Sequence, residues 1–163
     1  MRLTHLASGC GMAAALLLGA CGFHLQGHTP LSPLVKTPYV EAPDRQSDFV
    51  QSLRHELLSN GAQLMPEKSN SSATISVLQD QMVKRVVSVS AANQPNQYEI
   101  TYTVRVAVTA GDKELLPAQD VIETRTYSFS EPLLLAKGHE EDVLREDMAR
   151  SLADRVMRLL SQL

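Results

Sequence analysis

The side chains with the most reactive chemistry in this 163-residue chain are two cysteines and five histidines. His55-Glu56-Leu57-Leu58 begins like the helix of a zinc protease, in which two histidines one turn apart hold the metal and the glutamate serves as base. Position 59 is a serine, so the second ligand is missing. The pair reads as two polar residues on the wet side of a helix. His139-Glu140-Glu141 has no second ligand at useful spacing and reads as a helix start. His24 and His28 lie four apart in a proline-broken segment, a poor support for a metal. No Gly-x-Ser-x-Gly elbow and no phosphate-cradling glycine loop occurs. The acidic pairs Glu140-Glu141 and Glu146-Asp147 read as solvated helix faces. The sequence therefore calls for no catalytic residue, metal or cofactor, and its chemistry is that of binding and assembly.

Cys21 is different, because its surroundings specify a reaction. Arg2 is the only charged residue before Lys36, histidines aside. It precedes the apolar run Met12-Ala13-Ala14-Ala15-Leu16-Leu17-Leu18, far short of the ~20 residues that span a bilayer. A basic start, a short apolar middle and small residues before a cut describe a secretory signal. The cut site Leu18-Gly19-Ala20-Cys21 resembles the lipobox of bacterial lipoproteins. That resemblance implies that the thiol of Cys21 receives diacylglycerol, that the peptide is cleaved before it, and that the new amine is acylated. Residues 1–20 are then a cleaved signal peptide. Cys10 leaves with it, so the mature chain has no internal disulfide and must be held together by burial.

The 143 residues that remain suffice for one core. Without Arg2 they carry 14 basic against 18 acidic residues, a net charge of −4. This is no nucleic-acid profile, which needs a basic face. A polyanionic ligand would have to be met by a local patch. Residues 21–33, with Gly22, Gly27, Pro30 and Pro33, read as a lipid-anchored tether, and residues 34–163 as a single domain.

Within that domain a first strand is expected from Leu34 to Glu41, with Pro38 on an edge or at a bulge. A helix follows from about Arg45 to Asn60, capped by Asp44 or Ser47 and closed by Gly61. Its apolar stripe is Phe49, Val50, Leu53, Leu57 and Leu58. Ala73, Ile75 and Val77 alternate with polar residues, and Val83, Arg85, Val87 and Val89 continue the strand. After a turn at Ala91–Asn96, Tyr98, Ile100, Tyr102, Val104, Val106 and Val108 interleave with polar residues. One face of that strand is thus dry and one wet. Gly111-Asp112 turns the chain into a strand from Val121 to Phe129. A closing helix from Glu140 to about Gln162 stripes Leu144, Met148, Leu152, Val156, Leu159 and Leu163. Its early acids and late arginines match the helix dipole. The fold class that satisfies all of these is α+β: a two-layer sandwich of two amphipathic helices on one face of a roughly four-stranded sheet.

The opening Cys21-Gly22-Phe23-His24-Leu25 resembles that of the LptE family, lipopolysaccharide-assembly lipoproteins of Gram-negative bacteria. Leu53-Arg54 with Glu56-Leu57 and Asn60-Gly61, Tyr98-Glu99-Ile100-Thr101-Tyr102, Arg125-Thr126-Tyr127, Ala136-Lys137 and Asp147-Met148 fit the family in order along the mature chain. The resemblance implies the same two-helix, four-stranded architecture. It also implies a place as a plug inside the LptD β-barrel, support for that barrel's assembly, and contact with lipopolysaccharide. The implied location is the periplasmic face of the outer membrane, tied to its inner leaflet by the acyl chains. Gly22 agrees, because lipoproteins kept in the inner membrane usually carry aspartate there. By position, Lys137 matches a basic residue implicated in lipid contact. The family's second such residue, in the hairpin before the central strand, has no counterpart in Ala91–Gln97. Lys84 and Arg85 are the candidate substitutes, and strand alternation places only one of them on the wet side. Arg105 and Thr103 are candidates to face the barrel. The alternative is a general periplasmic scaffold or barrel-assembly lipoprotein with no lipid-binding role.

Cys21→Ser should leave an unacylated precursor, because serine offers no thiol. Intact mass of the purified product tests this, and a mature wild-type chain without acyl groups would end the lipoprotein reading.

Overall fold

The structure, a computed structural model, describes residues 31–128 and 134–163, with only the backbone described for 134–140. A short 3-10 turn, Pro33–Val35, leads into β1 (Pro38–Glu41). Helix α1 (Asp48–Ser59) follows, then a second 3-10 turn at Lys68–Asn70. The strands β2 (Ala73–Val89), β3 (Pro95–Ala110) and β4 (Lys113–Ser128) form a meander, and α2 (Leu134–Leu160) closes the chain.

Local chemistry sets the boundaries of α1. The Ser47 hydroxyl accepts from the Val50 amide at 3.2 Å, while Asp44 closes the preceding turn by accepting from the Gln46 amide. At the other end Gly61 adopts φ +85°, and the amides of Gly61 and Ala62 donate to the carbonyls of Leu58 and Leu57. Those two bonds are a Schellman cap, whose left-handed residue glycine adopts without strain. Gly111, at φ +58°, plays the same part in the tight turn between β3 and β4.

The sheet order is β1-β2-β3-β4, with β1 parallel to β2 and the rest antiparallel. The parallel pair needs a crossover, and α1 supplies it. The helices cover one face. Phe49, Leu53 and Leu57 of α1 and Met148, Leu152, Val156 and Leu160 of α2 are fully buried against Ile75, Ile100, Val104, Val106 and Val108. An ion pair from Arg145 Nε to Asp48 at 2.5 Å ties the two helices together. The long strands, at 16 and 17 residues, reach about 55 Å, whereas the 12-residue α1 spans about 18 Å. The sheet therefore far outruns α1, while the 27-residue α2, about 40 Å long, covers more of it. Val83, Val86, Val87 and Val89, near the β2–β3 turn, are 43–56% exposed.

The register contains shifts that redirect side chains. Val77 pairs with Val106 and Gln79 with Arg105, so Leu78 is an extra residue. Beyond this bulge the even positions Asp80, Met82, Lys84 and Val86 oppose the inward-facing Val104, Tyr102, Ile100 and Tyr98. A second shift in β4 falls at Pro117 and Ala118, since Val106 pairs with Gln119 and Val108 with Leu116. A bulge is a position where a strand accepts proline. Both edges are guarded. Along β1, the Gln63 and Met65 amides bond the Lys36 and Pro38 carbonyls at 2.8 and 2.9 Å. On β4, Arg155 of α2 reaches across to donate to the Ile122 carbonyl at 2.6 Å, and charged side chains flank it.

The two-layer α+β sandwich is as expected, with corrections to its parts. The first strand starts at Pro38, not Leu34, because Pro33–Val35 coils into a 3-10 turn. Leu58 leaves the expected stripe and is 55% exposed. In β2 the bulge removes Val83 from the helix side. β4 begins eight residues before Val121, its irregular first half hidden from a pattern search by Pro117 and its two-residue slip. The closing helix starts at Leu134, not Glu140, so Lys137 lies within it rather than in a loop before it.

Val104 is fully buried, whereas its neighbour Thr103 lies on the uncovered face between Gln81 and Ile122. Val104→Asp should cost several kcal/mol on the order of an unpaired buried charge. Thr103→Asp should stay within about 0.5 kcal/mol of wild type, as surface changes do. Equal losses in urea unfolding would mean that both faces of β3 are buried in solution.

Candidate functional site

The bulge in β2 and the length of α2 together build a polar cluster at the overhanging end of the sheet. Tyr98 of β3 and Tyr127 of β4 are cross-strand partners on the inner face, stacked at 5.6 Å between ring centroids and 22° between planes. The Lys84 ammonium lies 4.5 Å from the centre of the Tyr98 ring and 5.5 Å from that of Tyr127. It also pairs with Glu141 of α2 at 2.6 Å, and the Tyr127 hydroxyl donates to the same carboxylate at 3.1 Å. Lys84 thus meets an aromatic surface and an anion at once, both of which favour its charged form. Burial works to lower the Lys84 pKa, but the hydrogen bonds to Glu141 and Tyr127 outweigh it and raise it above 10.5. Lys84 in turn holds the Glu141 carboxyl below its usual 4.5 against the opposing effect of burial. Burial first, and then Glu141, push the Tyr127 hydroxyl up.

A second polar network sits farther along the inner face. The Glu123 carboxylate, with only 8% of its side chain exposed, is bridged by Arg125 at 2.9 Å and by Arg155 of α2, with Ser151 donating at 3.4 Å. It holds β4 onto α2 where the apolar core thins.

The opposite face of the sheet carries no helix. Arg105 pairs with Asp120 at 3.8 Å and Arg85 with Glu99 at 2.6 Å. Thr101 and Thr124 share a hydrogen bond at 3.4 Å, and Thr103 sits beside Ile122. Glu41, at the β1 edge of this face, accepts from the Ser76 hydroxyl at 3.2 Å and has no cation partner, and exposed Val83 and Ile122 stand among the hydroxyls and amides.

These positions separate the residues named from sequence. Lys84 and Arg85 point to opposite faces, as alternation requires: Lys84 to the helix side, Arg85 to the open side. Position 137 lies one helical turn before Glu141, at the same end of the molecule as Lys84. The Lys137 and His139 side chains, and Cys21, His24 and His28, lie outside what is described. Arg105 and Thr103 share the open face. His55 and Glu56 line a polar groove between the helices with Asp48, Gln51, Ser52 and Arg150. No cluster of three or more metal-ligating side chains occurs among the described residues. Tyr98, Tyr127 and Glu141 were missed as site residues. Their aromatic and acidic types were visible, but pairing them with Lys84 needs the register that the bulge sets.

The Lys84–Glu141 bridge should behave as a weak, pH-bounded clasp. The lowered pKa of Glu141 stabilises the fold above about 4.5, and that gain is lost as pH falls through the depressed value. The raised pKa of Lys84 stabilises below 10.5, and its gain is lost as pH rises through the elevated value. Both side chains are about one-third exposed, so a Lys84→Met/Glu141→Gln double-mutant cycle should give only about 0.5–1 kcal/mol at neutral pH. The coupling should vanish in strong acid. An unchanged coupling at low pH in urea titrations would show that the bridge carries none of it.

Residues 35–160 match the family model LptE, described as Lipopolysaccharide-assembly. The chain is 25% identical over 149 residues to the LPS-assembly lipoprotein LptE of Pectobacterium atrosepticum, covering 90% of this chain and 80% of that one. With its counterpart from Photorhabdus laumondii the identity is 26% over 148 residues, with the same coverage. The solution structure of lipoprotein B from Nitrosomonas europaea superimposes with a TM-score of 0.71 at 25% identity, covering 86% of this chain and 90% of that one. For the crystal structure of rare lipoprotein B from Shewanella oneidensis the TM-score is 0.68 at 20% identity, with 77% and 94% covered, a likeness of fold. The match spans both helices and all four strands: the chain belongs to the LptE lipopolysaccharide-assembly family.

Proposed function

We propose that this chain is a non-enzymatic outer-membrane lipoprotein of lipopolysaccharide assembly. It is anchored at the periplasmic face through acyl groups on Cys21, plugs the LptD β-barrel and supports its assembly, and contacts lipopolysaccharide on its way outward. Family membership supports the general role. The observation that carries the plug reading is the uncovered face of the sheet, a broad and mostly polar surface whose arginines are both ion-paired, backed by a dry core. A barrel lumen is polar. A face whose arginines are already paired can be enclosed there at reduced electrostatic cost, because Arg85 and Arg105 keep their carboxylates, while Glu41, at the β1 edge and bonded to Ser76, lacks a cation. On this reading Arg105 and Thr103 face the barrel, and Lys84 and Lys137, at the overhanging end, face the lipid. Acyl chains, on this reading, carry the attachment to the membrane.

A scaffold role without lipid contact is favoured by one observation. Lys84 already has Glu141 as its counterion, so it offers a phosphate no free charge.

Two measurements separate these readings. LptD should copurify with this protein in stoichiometric amount, and Thr103→Trp with Arg105→Trp should lower that recovery while leaving the thermal midpoint of the free domain nearly unchanged. Recovery of LptD at wild-type level would remove the open face from the interface. Lys137→Asp should weaken lipopolysaccharide binding several-fold, more at low salt, where screening over about 8–10 Å is relieved. Affinity indifferent to both reversal and salt leaves the scaffold reading.

A further inference from the structure

At the β1 edge of the sheet two arginines without a carboxylate partner come together. Lys84, Arg85, Arg105, Arg125, Arg145, Arg150 and Arg155 each have a carboxylate partner. Among the described residues Lys36, Arg45, Arg54, Lys68, Lys113 and Arg158 have none, and the first four lie in or around β1 and α1.

Two of these cations line a notch of about 320 Å³ outside β1. Tyr39 of β1, Arg45 before α1, Arg54 of α1, and Leu64, Met65 and Pro66 form its walls, and no carboxylate lines it. Arg45 is held in place: it donates to the Tyr39 hydroxyl at 2.8 Å, and its guanidinium lies 5.9 Å from the Tyr39 ring centre. The Gln63–Met65 backbone is fixed along β1 by its two hydrogen bonds, so the apolar wall is rigid too. Arg54 is half-buried and has no hydrogen-bond or ion-pair partner among the described residues. A half-buried guanidinium with its donors unused, beside a second one already oriented, is built to receive an anion with two acceptor oxygens. The volume lies at the low end for ligand sites, enough for a phosphate and a few apolar atoms.

We propose that this notch binds the phosphodiester of an acidic membrane phospholipid, with Arg45 and Arg54 on its oxygens and its glycerol carbons against Leu64, Met65 and Pro66. The chain enters the domain beside β1. Ten residues separate Cys21 from Leu31, a reach of at most about 35 Å. The notch would lie within that reach of the leaflet that holds the anchor. The inference borrows the anchor from the proposed function only for this proximity, and its test does not depend on acylation.

The test uses the full chain, purified in a nonionic detergent and titrated calorimetrically with monomeric dihexanoyl phosphatidylglycerol, dihexanoyl phosphatidylcholine, inorganic phosphate and a glutamate-rich peptide. The phosphatidylglycerol should bind most tightly. Arg45→Gln with Arg54→Gln should weaken it by at least about tenfold, the scale expected for losing charge-assisted bonds. Lys113→Gln with Arg158→Gln, cations elsewhere, should leave it unchanged, and circular dichroism should show every variant folded. Binding that survives the double arginine change overturns the proposal. So does inorganic phosphate binding as tightly as the lipid, which makes the notch a bare anion site. Tighter binding of the peptide assigns it to a protein partner instead, and equal binding of phosphatidylcholine removes the role of net charge.

Discussion

The far half of this sheet depends on one inserted residue, Leu78. Strand alternation has a period of two, so an extra residue exchanges the two faces for every position beyond it. Before the bulge, the odd positions Ile75 and Val77 of β2 face the helix side; after it, the even positions Asp80, Met82, Lys84 and Val86 do. Without it Arg85 would face the helices, and Lys84 would stand on the open face, away from Tyr98, Tyr127 and Glu141. The exchange has a cost. It turns Asp80 inward beside Tyr102, whose hydroxyl is pushed up by burial and then by that carboxylate, and leaves Asp80 Oδ2 without a partner. A buried unpaired oxygen is uncommon in folded chains. The sheet tolerates it at the place where the inner face passes from apolar packing to polar contacts.

That passage orders the whole inner face. Toward β1 it is dry, built from Phe49, Leu53, Ile75, Val106 and Val108. Toward the β2–β3 turn, contact between α2 and the strands runs through charged groups: first Glu123 with Arg125 and Arg155, then Lys84 with Glu141. Apolar burial fixes the layers without selecting one relative position, because apolar contact is non-directional. Hydrogen-bonded ion pairs are directional. They define where the long closing helix lies on strands that outrun α1, and being partly exposed they can reopen at a modest cost.

Legibility in the sequence follows the same division. The stripe Phe49, Val50, Leu53 and Leu57 and the alternation Ile100 to Val108 are periodic signals of burial, and the structure buries all of them. Ser47 and Gly61 act by local backbone chemistry, which one sequence carries in full. The bulge at Leu78 was not legible, since ten mixed residues from Leu78 to Val87 fit either face. The early start of α2 was hidden by Gly138 and by the run Glu140-Glu141-Asp142, which is acidic enough to pass for a first turn. The clasp was hidden for a third reason. Lys84 and Glu141 are 57 positions apart, and neither belongs to a motif. A cation whose partner lies that far away looks free in a sequence, and for that reason Lys84 looked available to a phosphate.

On the proposed function, this pairing changes what lipid contact at the overhanging end must be. A phosphate approaching Lys84 meets an ammonium that already has an anion and two ring faces. Binding is then an exchange of Glu141 for phosphate, not the neutralisation of a lone charge. An exchange gains only the difference between two anions, so affinity at this point is weak by construction. It also releases the helix end that carries position 137, since Glu141 is the residue that clasps that end to the sheet. Weak, exchangeable contact suits a protein on a transport route, where a ligand held tightly would not move on. The arginines beside β1 have no carboxylate to displace, and an anion there would gain its full interaction. One chain thus carries a largely neutralised face that can be enclosed, a clasped cation that can only exchange, and an open pair of guanidiniums that can hold.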